Sequence, residues 1–394
     1  MRQLLPTIGL LLSSAFAQEI PIGPKPTRSP DAGLLFQAIT REIEKAPTTD
    51  TIRIAIVGDL MCHSTQYLSA KTAAGYDFRP AFQAVKPYLA AADLAFGNLE
   101  TVTAGESEKY SGYPMFNTPV EYLDALADAG FDVITTANNH SLDRRFPGVE
   151  RTLEALEARS LLHTGTARSP EERETPLIVT VKGLRLGILA YTYGTNGIPM
   201  PAGKPFAVNL IDTLAMAEDI RRSRSAGAEA IAVFLHWGQE YQRQPGPAQI
   251  ALAGFLARQG VHLILGSHPH VLQPADWLGE PGRSPFVIYS LGNFFSGQRK
   301  PFTDSGIILE LRLFRNRETG DIRTGDVRFI PTYVSTRNGY RILAVADALR
   351  DAEAMDASAR TNMSAEHARL RGVWEETTTH LTDMGKGILP ANRQ

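Results

Sequence analysis

Seven stretches between Thr51 and Asn293 gather apolar and β-branched residues into short runs: TIRIAIVGD, ADLAFGN, FDVITTAN, LRLGILAYTY, AEAIAVFLHWG, VHLILGS and SPFVIYSLGN. Such runs read as strands, several of them buried on both faces. Between them lie stretches with helical spacing. Thr118-Pro119-Val120-Glu121 predicts a helix start, with a capping Thr, Pro at the first position and Glu three after the cap. That helix is expected to run to Ala129 and stop at Gly130. A second is expected from Pro147 through VERTLEALEARS, where Val149, Leu153 and Leu156 share a face. A third spans GPAQIALAGFLARQG, with Pro247 near its start and Gly260 past its end. Strand–helix alternation predicts an α/β layered fold.

The two ends differ from this pattern. MRQLLPTIGLLLSSAFAQE has a basic start, a short apolar stretch and Ala15-Phe16-Ala17, the form of a signal peptide (residues 1–17) cut near Ala17. The apolar run is short for a bilayer, so a periplasmic or secreted protein is expected, with an uncleaved membrane anchor as the alternative. Residues 18–50 read as a linker, with four prolines from Ile20 to Pro30, and a short helix from Leu34 to Lys45. The ordered domain is expected over 51–340. Ile307–Phe314 and Asp326–Val334 are expected to pair antiparallel at a sheet edge. Residues 341–394 read as a charged helical extension, with His367 and His380 on solvated faces.

Charge and composition narrow the function. The chain has 394 residues, 40 basic and 42 acidic, for a formal net charge of −2. That balance excludes a broad nucleic-acid-binding face. Cys62 is the single cysteine, so no intramolecular disulfide forms, and it is expected to be a small buried residue.

Polar residues collect where the strands end. Asp59 follows one run; Asn98 and Glu100 follow the next; Asn139, His140 and Asp143 follow the third; His236 closes another. LILGSHPHVLQ then sets His268 and His270 about a proline, and a further run ends in Gly292-Asn293. In open α/β sheets these carboxyl ends form the ligand crevice. Carboxylate, amide and imidazole are the ligand types of Mn, Fe, Zn or Mg. Taken singly, each residue reads equally well as a turn former, a helix cap or a core histidine. His140, next to Asn139, is the candidate acid. Lys109, Arg144, Arg145 and Arg243 lie near these motifs as anion partners or as surface charge. His163, expected in a loop, and His262, at a strand start, are set aside; His63 is ambiguous.

In order, GDLM, ADLAFGNLET, SGYPMFNTP, ANNHSLDRRFPGVERTLEAL, HTGTA, HWGQEY, LILGSHPHVLQP and IYSLGNFF resemble the blocks of the CapA family, over roughly Arg53 to Val334. These are capsule and poly-γ-glutamate biosynthesis proteins related to calcineurin-like metallophosphoesterases. The resemblance implies a four-layer α/β/β/α sandwich of the calcineurin-like metallophosphoesterase type. It also implies one or two divalent metal ions (Mn, Fe or Zn). Asp59 matches the first metal-binding aspartate, and Asn98 or Glu100 stands at the bridging carboxylate. Asn139 and His140 match an Asn-His pair of ligand and acid, His236 an isolated ligand, and His268 and His270 the last ligand pair. Asp143 joins His140 as a catalytic candidate, and Arg144, Glu240 and Tyr241 are candidates for substrate binding. Gln273 stands in a motif position without a role.

Two departures stand out: Met61 where metallophosphoesterases usually have a histidine, and Asn98 where they usually have an aspartate. They imply a weakened second site, or ligation shifted to Glu100 or His63. The implied function is metal-dependent hydrolysis of a phosphoester or amide/γ-glutamyl bond. The expected partners are an anionic cell-envelope polymer or its precursor and capsule synthase or export proteins, with no nucleic acid. The alternative is a non-catalytic polymer-binding or export factor using the same crevice.

Overall fold

The computed structural model describes residues 18–21, 49–355, 364–384 and 388–391. The expected signal peptide and the Leu34–Lys45 helix lie outside them.

Two sheets pack face to face. In spatial order, the first holds β1 (Gln18–Pro21), β8 (Leu177–Val181), β9 (Leu184–Thr192), β10 (Ala230–His236), β11 (Leu263–Ser267), β13 (Phe286–Leu291) and β12 (Leu272–Trp277). Strands β9, β10, β11 and β13 run parallel, and β12 returns antiparallel on β13. The second is ordered β17 (Arg341–Ala344), β16 (Ile322–Ser335), β15 (Ser305–Asn316), β2 (Thr49–Leu60), β5 (Leu94–Leu99), β6 (Val133–Thr135) and β7 (Leu162–Thr164). Strand β14 (Asn293–Phe295) adds to β2, and β18 (Leu389–Pro390) to β16. A small hairpin, β3 (Lys71–Thr72) with β4 (Gly75–Tyr76), stands apart.

Three apolar layers explain the stacking. Ile54, Ile56 and Phe96 of the second sheet meet Ile188, Phe234, Leu265 and Ile288 of the first. The opposite face of the second sheet, with Ala55, Val57 and Ile134, packs on helices α2 (Arg79–Phe82), α3 (Lys86–Ala91), α4 (Glu121–Ala129) and α5 (Arg145–Glu157). The outer face of the first sheet, with Tyr191, Val233 and Ile264, packs on α7 (Thr213–Ser225) and α8 (Pro247–Arg258). The central strands β5, β10, β11 and β13 are therefore buried on both faces, which is why the sequence shows continuous apolar runs there instead of alternation. Two short helices, α1 (Ser64–Ser69) and α6 (Pro170–Glu174), sit in connections. The layers are helix, sheet, sheet, helix, as the family resemblance implied.

Some expectations need correction. Helix α4 begins at Glu121, three residues after Thr118, because the Thr118 hydroxyl lies 2.7 Å from Thr101 Oγ1 and does not cap. Its end at Gly130, with φ 100°, is as expected. Gln18–Pro21, expected as linker, pairs as an edge strand with β8. His163 lies in β7, not in a loop.

The boundary at 340 falls within a β16–β17 hairpin. Beyond it lie α9 (Val345–Ala354) and α10 (Ser364–Met384), and Leu381 and Ile388 join the inter-sheet core. The C-terminal segment is thus part of the domain. His380, expected on a solvated face, is half-buried, and burial lowers its pKa to about 4. Cys62 is buried in the helix-side core.

Candidate functional site

The parallel strands of both sheets end at one edge, and their last residues converge there. Strand β2 delivers Asp59, β5 delivers Asn98 and then Glu100, and β10 delivers His236. The segment after β6 brings Asn138, Asn139, His140 and Asp143. The turn from β11 to β12 brings His268 and His270, both in left-handed backbone at φ 94° and 59°. Non-glycine residues rarely hold that conformation, and a rigid proline between them helps fix it. Two hydrogen bonds hold the turn in place: His268 N–H donates to Asp59 Oδ2 at 3.2 Å, and Tyr241 N–H donates to Pro269 O at 2.8 Å.

Asp59, Glu100, His236, His268 and His270 are all buried. His270 Nδ1 lies 3.3 Å from Asp59 Oδ2, and His236 Nδ1 lies 3.9 Å from Asp59 Oδ1. Glu100 Oε1 is 3.6 Å from His236 Nε2 and 3.8 Å from His270 Nε2. Three sets of nitrogen and carboxylate atoms gather within 4.8 Å: Glu100-His236-His268, Asp59-Glu100-His270 and Glu240-His268-His270.

Neighbouring polar groups orient this cluster. Asn98 Nδ2 donates to Asp59 Oδ1 at 2.9 Å, and Asn138 Nδ2 donates to Asn98 Oδ1 at 3.3 Å. Asn98 thus enters the site as a neutral organiser of Asp59, while Glu100 supplies the second carboxylate. His236 Nε2 lies 2.8 Å from Asn139 Oδ1, and its Nδ1 lies 3.0 Å from Ser267 Oγ. His270 Nδ1 lies 3.1 Å from Asn293 Oδ1. His140 Nδ1 is 2.7 Å from Asp143 Oδ2, which also accepts the Phe116 N–H at 2.6 Å.

The site holds charge against its own burial. Glu100 is pushed well above the usual carboxyl range, by burial first and then by the Asp59 charge. Burial also works against ionised Asp59. There the hydrogen bond and charge of His270, the Asn98 amide and the His268 N–H outweigh it, and Asp59 is held below its ordinary value. Burial, then the neighbouring imidazoles, keep His236 far below its usual pKa and lower His268 to about 3. Both are therefore neutral at neutral pH.

These residues fit a divalent cation. Both Glu100 oxygens and His268 Nδ1 are buried without a hydrogen-bond partner. A buried carboxylate with no donor, beside a second carboxylate and the imidazoles of His236, His268 and His270, is costly unless a cation completes it.

Other sequence candidates fall outside the cluster or at its mouth. Met61 packs in the core, with its sulfur 3.6 Å from Ser296 Oγ. His63 Nδ1 accepts the Gly297 N–H at 3.1 Å, and its ring packs edge-on to Phe116. The Arg144 guanidinium donates to the carbonyls of Glu108, Lys109, Met115 and Asp143 and to Ser111 Oγ. It therefore clamps the loop beside His140 instead of offering a free cation. Arg145 is exposed. Glu240 is exposed at the mouth and Tyr241 half-buried there, its ring 6.1 Å from His270. Gln273 braces the loop after β10, donating to Gln242 O and Gln244 O.

Sequence reasoning missed Asn196 and Tyr193. Asn196 Oδ1 accepts from Asn139 Nδ2 at 3.1 Å, and its Nδ2 lies 3.5 Å from His140 Nε2. The half-exposed Tyr193 ring lies 4.6 Å from that of His268. Both follow the carboxyl end of β9, so strand-end position was the available signal. A cavity of about 730 Å³ lies elsewhere, against β7 and α7, where Arg168 and Arg173 are already paired with acids.

Residues 53–298 match the sequence profile of a family described as bacterial capsule synthesis protein PGA_cap. The chain belongs to this family. Asp59, Asn98, Glu100, Asn139, His140, Asp143, His236, His268 and His270 all lie within the matched span. The chain is 28% identical over 279 residues to the capsule biosynthesis protein CapA of Bacillus anthracis, covering 68% of this chain and 65% of that protein. It therefore spans just under two thirds of that relative's length. It is 28% identical over 286 residues to the PGA biosynthesis protein CapA of Bacillus subtilis (strain 168), covering 69% and 70%. Among solved structures, the calcineurin-like phosphoesterase YfkN from Bacillus subtilis is similar over 83% of this chain and 99% of that chain, with 15% identity and a TM-score of 0.43. The NAD nucleotidase NadN of Haemophilus influenzae is similar over 82% and 68%, with 12% identity and a TM-score of 0.46.

Proposed function

We propose that this chain is an exported, metal-dependent hydrolase of capsule or poly-γ-glutamate synthesis. Its substrate is an anionic envelope polymer or a precursor, cut at a phosphoester or amide/γ-glutamyl bond, and it works beside capsule synthase or export proteins. Export rests on the signal-like start with cleavage near Ala17, and anchoring by that segment is the alternative. The observation that carries the enzymatic reading is Glu100, fully buried with both oxygens lacking a donor beside Asp59.

Asp59, Glu100, His236, His268, His270 and the Asn139 amide oxygen would hold one or two ions of Mn, Fe or Zn. When bound, such an ion supplies Lewis acidity and acidifies water. The rest falls to side chains. Asn98 and the His268 N–H hold Asp59 in one orientation. Asp143 fixes His140 through Nδ1, which leaves Nε2 to give a proton to the leaving oxygen or nitrogen. Asn196 spaces Asn139 from His140.

A second reading is a polymer-binding or export factor, favoured by Asn98 standing as a neutral amide where a bridging carboxylate is expected. Elemental analysis of the purified protein, paired with a hydrolysis screen over phosphoester and γ-glutamyl substrates, separates the two. At least one tightly held metal per chain is expected. His268→Ala and Glu100→Gln should each weaken metal affinity by tenfold or more, on the order of what losing a metal-site group costs, and abolish turnover. Metal-free protein that binds polymer equally well in chelator would establish the second reading instead.

A further inference from the structure

Two loops meet beside the His268–Pro269–His270 turn. One follows β10 and carries Tyr241 and Arg243; the other joins β14 to β15 and carries Lys300 and Phe302. They interlock through two cation–aromatic rungs of opposite sense. Lys300 Nζ sits 3.7 Å from the Tyr241 ring centre, and the Arg243 guanidinium sits 4.2 Å from that of Phe302. Both aromatic residues occupy left-handed backbone, Tyr241 at φ 65° and Phe302 at φ 66°. Strain of this kind persists only where surroundings enforce it, and it collects at ligand sites. For Tyr241 the enforcing contact is its N–H on Pro269 O, between the two histidines.

The rungs differ in what they leave free. Arg243 is half-buried and reaches Glu376 O. Lys300 is exposed, and no carboxylate among the described residues lies within ion-pair distance of its ammonium. Asp304, four residues after Lys300, is paired with Arg369, and Glu240, next to Tyr241, is gathered with His268 and His270. The Tyr241 face therefore holds a cation at the rim of the cluster with its remaining N–H donors open. A cation–π contact orients an ammonium without neutralising it.

We propose that Lys300, held over Tyr241, is an anion subsite that binds a carboxylate or phosphate of the substrate next to the one being cut. This rests on the hydrolase reading for where the reacting group lies. It predicts selection for chains with regularly spaced negative charge over single-charge substrates. Lysine suits the task because it acts as a point charge that accepts either oxyanion.

The test measures binding of tri-γ-glutamate and of inorganic triphosphate by calorimetry, with full-length protein in metal-loaded and metal-free forms. Lys300→Gln is expected to weaken both probes about twofold to fivefold at low salt, the scale of one exposed charge pair, and Lys300→Arg to retain most of the affinity. Lys182→Gln, at a lysine already paired with Asp93, is the control and should change nothing. Equal affinity of parent and Lys300→Gln for both probes overturns the subsite. Loss of one probe alone assigns it to carboxylate or to phosphate. A chain that takes up no metal but shows the Lys300 dependence in the metal-free form keeps the subsite and removes the hydrolase reading.

Discussion

Glu100 and His262 show how one physical term, burial, acts on single residues with different consequences. At Glu100 it meets a second carboxylate and no donor, so the residue carries a demand for a cation. His262 precedes β11, away from the cluster, and its Nδ1 accepts the Ile231 N–H at 3.2 Å. Burial first, and then Arg224, lower its pKa from 6.5 to about 4. The unfolded chain therefore takes up a proton here that the folded chain refuses. Stability is lost as pH falls from about 6.5 to about 4 and levels off below. His262→Asn keeps an acceptor for Ile231 and removes the titration. It should recover up to about 2 kcal/mol at pH 4.5 relative to pH 7.5, as a shift of this size implies. Urea unfolding at the two pH values checks this, and an identical pH loss in parent and variant would sink it.

At the scale of elements, the site depends on strands approaching closer than side chains permit. Gly58 and Gly266 precede Asp59 and the Ser267–His268 segment. A Cβ on Gly58 would lie 2.0 Å from Gly292 O, and one on Gly266 would lie 1.9 Å from Tyr289 O. Asp59 N–H donates to Gly292 O at 3.1 Å across the same gap. Gly58→Ala is expected to cost at least about 3 kcal/mol, the upper range of overpacking, and to displace Asp59. Gly254→Ala, inside α8 and with Arg258 Nη1 as its one near contact at 3.5 Å, should gain about 1 kcal/mol from helix propensity. Chemical denaturation of the two variants distinguishes a steric requirement from a general intolerance of alanine.

On the scale of the whole molecule, the C-terminal segment closes the domain. Leu381 and Ile388 enter the core between the sheets, Arg369 pairs with Asp304 and Glu376, and β18 pairs with β16. A chain ending at Tyr340 loses these contacts together with β17. It should be destabilised by at least about 5 kcal/mol, since burying each large apolar side chain contributes roughly 1.5–3 kcal/mol. Guanidinium unfolding of full-length and truncated protein measures it, and equal stability would show the segment to be an appendage.

The runs of apolar residues and the polar residue closing each were enough to predict strands, helices α5 and α8, and the set of groups at one sheet edge. Strand periodicity and strand ends are local, so they are written in consecutive residues. The C-terminal helices looked like an extension because their apolar residues are sparse, and sparse apolar positions do not say what they face. Asn98 and Glu100 both stood at a strand end. Only the folded chain decided that Asn98 would hydrogen-bond Asp59 while Glu100 was left without a donor. Asn196, Lys300 and the Arg144 clamp were likewise invisible, since each acquires its role from a loop distant in sequence. Which side chains share a pocket is a property of how two sheets stack, and no short stretch of sequence contains it.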